Sequence, residues 1–315
     1  MFHNFDEIES HLLSNGIRKR IALCGAHDEA ALSAVVDAHR KGVADAALIG
    51  DAGRIREILD QMEEPAEDYE IIDKPAESRG ALQAMKLVHA GEADIPMKGL
   101  MQTTSFVTAM ANPVYGIMDF DAMMTHLTAF YYPERGGFLF ASDTSFTKTP
   151  TLEEKVTIIN NALPTMRAFG LTHINVGVIS AVETVRQDVP STLDAEALSQ
   201  MEWPDDVTVE GPFALDNAIS VEAAEHKGIA DRPGAGRSDL LLLPDFIAGN
   251  ILYKSVHYFG HLPEAGMVCG TRTPAIVASR SDEPDAKYNA ILAAIVQSLA
   301  LEGADVAGAA DAAEE

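Results

Sequence analysis

Apolar and polar residues follow two alternating periods along the first hundred residues. Short apolar runs at 20–26 (RIALCGA) and 44–51 (ADAALIGD) have the length and composition of buried strands. Each run is followed by a segment with helical spacing, DEAALSAVVDAHRKG and then GRIREILDQM. Gly42 falls where the first of these helices should end. The order strand, helix, strand, helix predicts a parallel sheet with crossover helices.

The same pattern continues and then starts again. YEIIDKP reads as a strand, and ESRGALQAMKLVHAGEAD reads as a helix leading to IPMKGLMQT. After about residue 130, GGFLFASDT and HINVGVIS predict new strands, and a final helix is predicted from Asp285 to Glu302. We therefore expect an α/β protein with a second α/β domain, and no flexible tether between the two.

Composition argues against nucleic-acid-binding, secreted and membrane proteins. The chain has 315 residues, 47% of them hydrophobic, and 48 acidic against 23 basic residues give a formal net charge of −25. Extended contact with a nucleic-acid backbone is therefore unfavourable. The first segment is acidic and amphipathic, unlike a secretory signal, and no apolar run reaches the ~20 residues of a membrane span. Cys24 and Cys269 lie in apolar segments, which predicts buried free thiols in a cytoplasmic protein without membrane partners.

A run of leucines in SDLLLLPDFIAGNILYKSV predicts a strand that turns through Gly249 and Asn250 into a helix. Corners of this kind lie at the carboxyl edge of a parallel sheet and suit anionic groups. The alternative is an ordinary helix start, with Asn250 as the cap and Lys254 on the surface.

The segment VCGTRTPAIVASRSDEPD brings polar groups together at the ends of apolar stretches: Arg272, Ser279, Arg280, Asp282 and Asp285. An arginine fork matches phosphate oxygens, a serine offers a hydroxyl, and a carboxylate can take a proton from a thiol. A helix start capped by Asp282 or Asp285, with a surface ion pair, explains the same spacing.

In IPMKGLMQTTS, Lys98 and Gly99 follow a strand and precede a hydroxyl-rich loop, which resembles a phosphate loop in chemistry. The P-loop and G-x-G-x-x-G patterns are both absent from the sequence. His257 and His261 are four residues apart, but histidines are more often structural than ligands, and the H-E-x-x-H and Cys/His ligand motifs are missing. The G-x-S-x-G elbow of serine hydrolases is missing as well. We expect no metal site.

Six ordered blocks together resemble phosphate butyryltransferases and, more distantly, phosphate acetyltransferases, over residues 18–300. The blocks are ALCGAHDEAALSAVVDAHRKGVADAALIGD, PMKGLMQT, HLTAFYYPERGGFLFASDTSFTKTPTLEEKVTIINNA, GPFALDNAIS, SDLLLLPDFIAGNILYKSV and GTRTPAIVASRSD.

The resemblance implies the two-domain fold of isocitrate and isopropylmalate dehydrogenases, with parallel-rich sheets and an active site in the interdomain cleft. Residues 1–130 and 268–315 would form the first domain and 131–267 the second. The implied reaction is reversible: acyl-CoA and phosphate give acyl phosphate and CoA, with the acyl group butyryl or similar. Coenzyme A is then a substrate, no cofactor is needed, and a homo-oligomer is expected.

The resemblance also assigns roles to residues. Ser279 and Arg280 match the family's serine-arginine pair, which binds near the thioester and holds the transferring phosphate. Asp282 is the expected base, with Asp285 in reserve. The expected substrate-binding residues are Lys98, Gly99, Thr144, Gly249, Asn250, Lys254 and Arg272. Two of these depart from the family pattern, because Thr144 stands for a cysteine of the acetyl branch and Arg272 for a lysine.

Two other functions remain open at this point. A non-catalytic acyl-CoA-sensing regulatory domain of the same fold would bind the ligand without turnover, and the intact set Ser279, Arg280 and Asp282 argues against it. A dehydrogenase of the same fold would need a carboxylate cluster for a metal and a nicotinamide site, and neither is evident in the sequence.

Overall fold

A computed structural model describes residues 1–279 and 282–303, which separate into two compact units. The central unit comprises Thr125–Leu262 together with Met1. The split unit comprises Phe2–Met124 and the described residues from Pro263 onward. The chain thus builds part of the split unit, forms the central unit, and returns. The split unit is therefore discontinuous in sequence.

The secondary structure follows the predicted alternation. The helices are α1 (Phe5–Ser14), α2 (Glu29–Lys41), α3 (Ala52–Gln61), α4 (Glu77–His89), α5 (Thr103–Met110), α6 (Leu152–Ala168), α7 (Pro190–Ser199), α8 (Leu215–Ile219), α9 (Val221–His226), α10 (Phe246–Ser255) and α11 (Pro284–Leu301). The strands are β1 (Lys19–Cys24), β2 (Ala44–Gly50), β3 (Glu70–Asp73), β4 (Ile95–Lys98), β5 (Thr125–Tyr132), β6 (Gly137–Ser142), β7 (Ile174–Ile179), β8 (Val207–Phe213), β9 (Leu240–Leu242) and β10 (Glu264–Cys269).

The split unit contains a parallel sheet in the order β3-β2-β1-β4. Its central strands carry apolar residues on both faces because helices cover both sides, and Ile21 and Leu48 are fully buried. The crossover helices start and stop as the sequence indicates. Asp28 caps the start of α2 by accepting the N–H of Ala31, and Gly42 ends it in the left-handed conformation.

The central unit contains strands in the order β5-β6-β9-β7-β8. Strand β5 runs antiparallel to β6, and the remaining pairs are parallel. A buried cluster that includes Phe130, Phe213, Leu241 and Tyr253 packs against one face of this sheet. The sheets are therefore rich in parallel pairs, as predicted. Within the described part of the chain, none of the helices is long and apolar enough to cross a membrane.

Candidate active site

The carboxyl edge of the split-unit sheet carries the predicted serine and aspartate. The segment that leads to Ser279 runs parallel to β4, because the N–H of Lys98 donates to the carbonyl of Ile276 at 2.9 Å and the N–H of Ile276 donates to Pro96 at 3.0 Å. Both chains therefore leave the sheet at the same edge. This is where open α/β sheets bind ligands.

Ser279 and Asp282 form a tight turn at that edge. Asp282 Oδ2 accepts the N–H of Ser279 at 2.7 Å, and the N–H of Asp282 donates to the carbonyl of Ser279 at 3.2 Å. The Asp282 side chain therefore bonds back toward Ser279 and does not cap α11, whose first residue is Pro284. Asp282 is buried, with 6% of its surface exposed, whereas Asp285 is exposed in the first turn of α11. Arg280 lies outside the described residues.

Lys98 and Gly99 lie beside this turn, as the last residue of β4 and the residue after it. Lys98 is 2% exposed, and its Nζ donates to the carbonyl of Gly99 at 3.3 Å. A Cβ at Gly99 would lie 2.4 Å from the carbonyl oxygen of Gly25. Glycine is therefore required at position 99 by the close backbone of Gly25, which itself has φ of +69°.

The start of α5 is already bound to a carboxylate. Glu77 Oε2 accepts the N–H of Gln102 at 3.1 Å and the hydroxyl of Ser105 at 3.0 Å. The loop between β4 and α5 thus has the anion-binding chemistry that its hydroxyls indicated, and Glu77 occupies it. A cavity of about 200 Å³ lies next to it, lined by Gly25, His27, Lys74, Pro75, Glu77, Leu100 and Met101.

Arg272 lies at the opposite end of the Ile276 segment from Ser279. Its guanidinium donates to Asp119 Oδ1 at 2.5 Å and to the carbonyls of Gly116 and Met118 at 2.6 and 3.0 Å. The neighbouring Thr273 hydroxyl donates to the carbonyl of Asp94, just before β4 begins. The structure therefore does not bring Arg272 to the carboxyl edge, because its donors fasten the chain at 116–119.

Thr144 lies in the central unit, just after β6. Its hydroxyl is fully buried between Nδ1 of His126 at 2.6 Å and the hydroxyl of Thr128 at 2.9 Å. Asp143 orders the adjacent turn, since its Oδ1 accepts the N–H groups of Ser145 and Phe146 at 2.7 and 2.8 Å. Thr144 is thus part of a buried polar network at the end of a strand.

Gly249 meets the same turn from α10. A Cβ at Gly249 would lie 2.2 Å from the carbonyl oxygen of Asp143 and 3.0 Å from Cα of Thr144. Only glycine permits this contact. The structure therefore brings together two predicted residues, Gly249 and Thr144, that are far apart in the sequence.

The corner that leads into α10 differs from the prediction. The helix begins at Phe246, because Asp245 is the cap and accepts the N–H of Ala248 at 2.9 Å. Asn250 is therefore inside the helix, and the alternative of Asn250 as the cap is wrong. Lys254 lies in the last turn, with Nζ 4.8 Å from the ring centre of Tyr253.

Two buried ionisable groups flank the split-unit edge. Burial raises the pKa of the Cys24 thiol to about 12, against a smaller lowering by the nearby Lys98 ammonium. Burial also lowers the pKa of Lys287 on α11, and the carboxylates of Asp28, Asp282 and Glu283 oppose that effect. The thiol is therefore protonated and poorly nucleophilic at neutral pH.

Sequence reasoning missed several of these residues. His27, Lys74 and Glu77 could have been found as polar residues that directly follow strands of a parallel sheet. Lys287 gave no signal, because a lysine in a helix is normally exposed.

His39, Glu64 and Asp68 form a further cluster, whose possible metal-ligand atoms lie within 4.8 Å of one another. Both Glu64 oxygens already accept hydrogen bonds, from Arg40 and Tyr69.

Known proteins resemble the chain over most of its length. The family model described as phosphate acetyl/butaryl transferase matches residues 68–295. A phosphate butyryltransferase of Clostridium acetobutylicum is 37% identical over 300 residues, covering 94% of this chain and 99% of the relative.

Solved structures agree with this relationship. A branched-chain phosphotransacylase from Enterococcus faecalis is 26% identical with a TM-score of 0.80, covering 89% of this chain and 98% of the other. A 4-hydroxythreonine-4-phosphate dehydrogenase from Klebsiella pneumoniae, 13% identical, has a TM-score of 0.52 and covers 89% of this chain and 99% of its own, a likeness of fold alone. The chain therefore belongs to the phosphate acetyl/butyryl transferase family.

Proposed function

We propose that this chain catalyses reversible transfer of a short-chain acyl group between coenzyme A and inorganic phosphate. Membership of the family supports the reaction class. The observation that carries the proposal is the turn at Ser279 and Asp282, where a buried carboxylate and a serine are held together at the carboxyl edge of a parallel sheet. The interdomain cleft implied by the resemblance stays a prediction.

In the direction of acyl-CoA synthesis, Asp282 takes the proton from the CoA thiol and the thiolate attacks the carbonyl carbon of the acyl phosphate. The carbon–sulfur bond forms, the bond from carbon to the phosphate oxygen breaks, and phosphate departs with the electron pair. Arg280, outside the described residues, holds the departing phosphate, and the Ser279 hydroxyl binds near the thioester. The acyl phosphate is already activated and the CoA thiolate is a good nucleophile. Alignment of the two substrates and neutralisation of the phosphate charge therefore supply most of the rate.

The other proposed substrate-binding residues lie in both units of the chain. Gly99 and Lys98 shape the edge beside Ser279, and Lys98 contributes a buried side chain whose Nζ donates to the carbonyl of Gly99. Thr144 and Gly249, with Asn250 and Lys254 on the same helix as Gly249, shape the substrate-binding surface of the central unit. Arg272 ties the chain to Asp119, so we assign it a structural role in place of the expected phosphate contact.

We propose an acyl group longer than acetyl, such as butyryl or a branched chain. The butyryltransferase relative and the branched-chain phosphotransacylase structure both support this choice. One methylene changes discrimination by only about 1–3 kcal/mol, so related acyl groups should also react. Coenzyme A acts as substrate with no resident cofactor or metal, in the cytoplasm, and these points stay predictions.

We also propose that the protein self-associates through α10 and the π-helical turn after it, Val256–Gly260. The large apolar side chains exposed there are Ile247 (67%), Ile251 (60%), Tyr258 (53%) and Phe259 (86%). Residues 246–263 contain no Asp or Glu, although the whole chain has 48. Two copies that each carry −25 repel over most of their surfaces, so an acid-free apolar face is the surface on which a second copy fits.

The deciding experiment measures CoA release from acetyl-, propionyl-, butyryl- and isobutyryl-CoA with and without phosphate. Phosphate-dependent release, fastest with a four-carbon acyl group, supports the proposal. Arg280→Ala should lose at least ~10²-fold in turnover, as expected for removal of a charge stabiliser. Binding of butyryl-CoA without phosphate-dependent release would instead indicate a regulatory domain and contradict the proposal.

A further inference from the structure

Lys287 lies inside the split unit with only 1% of its surface exposed. It is the fourth residue of α11, and its Nζ donates to the backbone carbonyl of Asp282. Burying an ammonium opposes folding unless its partners offset the lost hydration, and apolar replacements of similar volume are often neutral or stabilising. The needs of the fold alone therefore do not account for a lysine at this position.

The carbonyl that Lys287 binds belongs to the turn of the proposed site. The same aspartate accepts the N–H of Ser279 through Oδ2 and donates its own N–H to the Ser279 carbonyl. A chain of hydrogen bonds thus runs from the interior of α11, through Asp282, to Ser279. Moving the Asp282 peptide would move both ends of the turn together.

The charges around Lys287 fit this arrangement. The carboxylates that act on its ammonium are Asp282 and Glu283, at the end of the turn, and Asp28, at the start of α2. Asp28 caps α2 directly after the loop that follows β1. These carboxylates belong to the turn and to the start of α2, and their attraction to one ammonium favours keeping the two segments together.

We propose that Lys287 is a positioning residue for acyl transfer: it fixes the Asp282 peptide and, through it, the orientation of Ser279. The proposal rests on the role proposed above for Ser279 and Asp282. Lys287 does not touch substrate. Its contribution is geometric, since displacements of about 1 Å in a site can lower turnover by ~10²-fold.

The chain offers a matched control in Lys155 of α6. It is 4% exposed, and its Nζ lies 2.5 Å from Asp194 Oδ2. Lys155 is thus another buried lysine with an oxygen partner, but it lies in the central unit and its partner is not in the proposed site. Lys155→Met removes a buried ammonium just as Lys287→Met does, without touching the turn.

The experiment compares Lys287→Met, Lys155→Met and the wild-type protein in two measurements. The first is kcat and KM for butyryl-CoA at saturating phosphate, and the second is hydrogen exchange of the peptide containing Ser279 and Asp282. In Lys287→Met we expect kcat to fall at least ~10-fold, KM to stay within about threefold, and exchange in that peptide to become faster. Lys155→Met should keep kcat within about twofold and leave that exchange unchanged.

A folded Lys287→Met protein with near wild-type kcat and unchanged exchange overturns the proposal, as does an equal loss of kcat in Lys155→Met. If Lys287→Met does not fold, the same measurements on Lys287→Gln decide the question. Failure of both variants to fold also overturns the proposal, because the lysine would then be needed for folding. Absence of phosphate-dependent CoA release in the wild-type protein would instead refute the proposed function. That result is distinguishable because it needs no variant.

Discussion

Asp282 holds Ser279 through its side chain, with Oδ2 accepting the Ser279 N–H at 2.7 Å. The Asp282 carboxylate therefore has two roles. One oxygen accepts the Ser279 N–H and so holds the turn, and the negative charge shared by both oxygens is what the proposed proton transfer needs. A substitution that keeps an oxygen acceptor but removes the charge separates these two contributions.

Asp282→Asn is expected to lower kcat by about 10²–10⁴-fold, because the amide can accept the Ser279 N–H but cannot act as a base. The phosphate-dependent release of CoA from butyryl-CoA measures the effect. Asp285→Asn is the matched control, and it should be neutral because Asp285 is exposed. A large loss in Asp285→Asn with little change in Asp282→Asn would transfer the role of the base to Asp285.

Gly249→Ala is expected to destabilise the protein by about 1–3 kcal/mol, although alanine usually favours a helix. The added Cβ would lie 2.2 Å from the Asp143 carbonyl oxygen and would force α10 away from the turn at Thr144. Urea denaturation gives the free energy of unfolding. Gly260→Ala is the control, since its Cβ would meet no atom closer than 3.6 Å. Equal stabilities for the two variants would contradict the contact between Gly249 and Asp143.

Thr144→Val is expected to cost about 1–3 kcal/mol of unfolding free energy. Valine fills the space of threonine, but it removes the hydroxyl that bonds both His126 Nδ1 and Thr128 Oγ1. Thermal or urea denaturation checks this expectation. Thr104→Val, at an exposed position of α5, should change stability by less than about 0.5 kcal/mol. A neutral Thr144→Val would mean that the buried network does not depend on this hydroxyl.

Cys24 should be unreactive toward thiol reagents in the folded protein at pH 8. Its pKa is raised to about 12, so only about 10⁻⁴ of the thiol is ionised at that pH, and the group is fully buried. Because the pKa is raised, reactivity should increase only at strongly alkaline pH or after unfolding. Labelling with a disulfide reagent before and after adding urea measures both states. Fast labelling of native Cys24 with loss of activity would contradict its assignment as a buried, unreactive thiol.

If the protein self-associates as proposed, Ile251→Glu is expected to give monomers, because it places a charge on the exposed apolar surface of α10. Sedimentation velocity measures the molecular mass in solution. Val114→Glu, at another exposed apolar side chain (61%), should keep the wild-type assembly. A monomeric wild-type protein, or an oligomeric Ile251→Glu, would contradict self-association through α10.

The sequence alone supported much of the architecture. Strands β1 and β2 each contain an unbroken apolar run, at 21–24 and 46–49, with charged residues before it and glycine after it, so their type and order follow directly from pattern. Strand β8 was missed because its polar positions, such as Thr208 and Glu210, interrupt the apolar run. The start of α10 was placed too late because Gly249 looked like a turn residue, whereas it is a helical glycine required by the approach of Asp143.

The candidate site was only partly predictable for a similar reason. Ser279 and Asp282 are close in sequence, so their association in a turn could be expected. The position of Arg272 depends on a pairing over a long sequence separation, between Ile276 and β4. Lys287 lies only five residues from Asp282, but a lysine in a helix is normally exposed, so the pattern gave no reason to expect it inside the fold. Nothing in the local pattern distinguishes an arginine that binds phosphate from one that holds Asp119.

The split unit has a consequence for biosynthesis. Residues 2–124 leave the ribosome with the outer edge of β4 unpaired, and the segment at Ile276 that pairs with it is made only after the whole central unit. An open strand edge invites association with other chains during that interval. The nascent chain therefore carries an unpaired strand edge for as long as the central unit takes to be synthesised, and Ser279 and Asp282 reach their places only after that unit has been made.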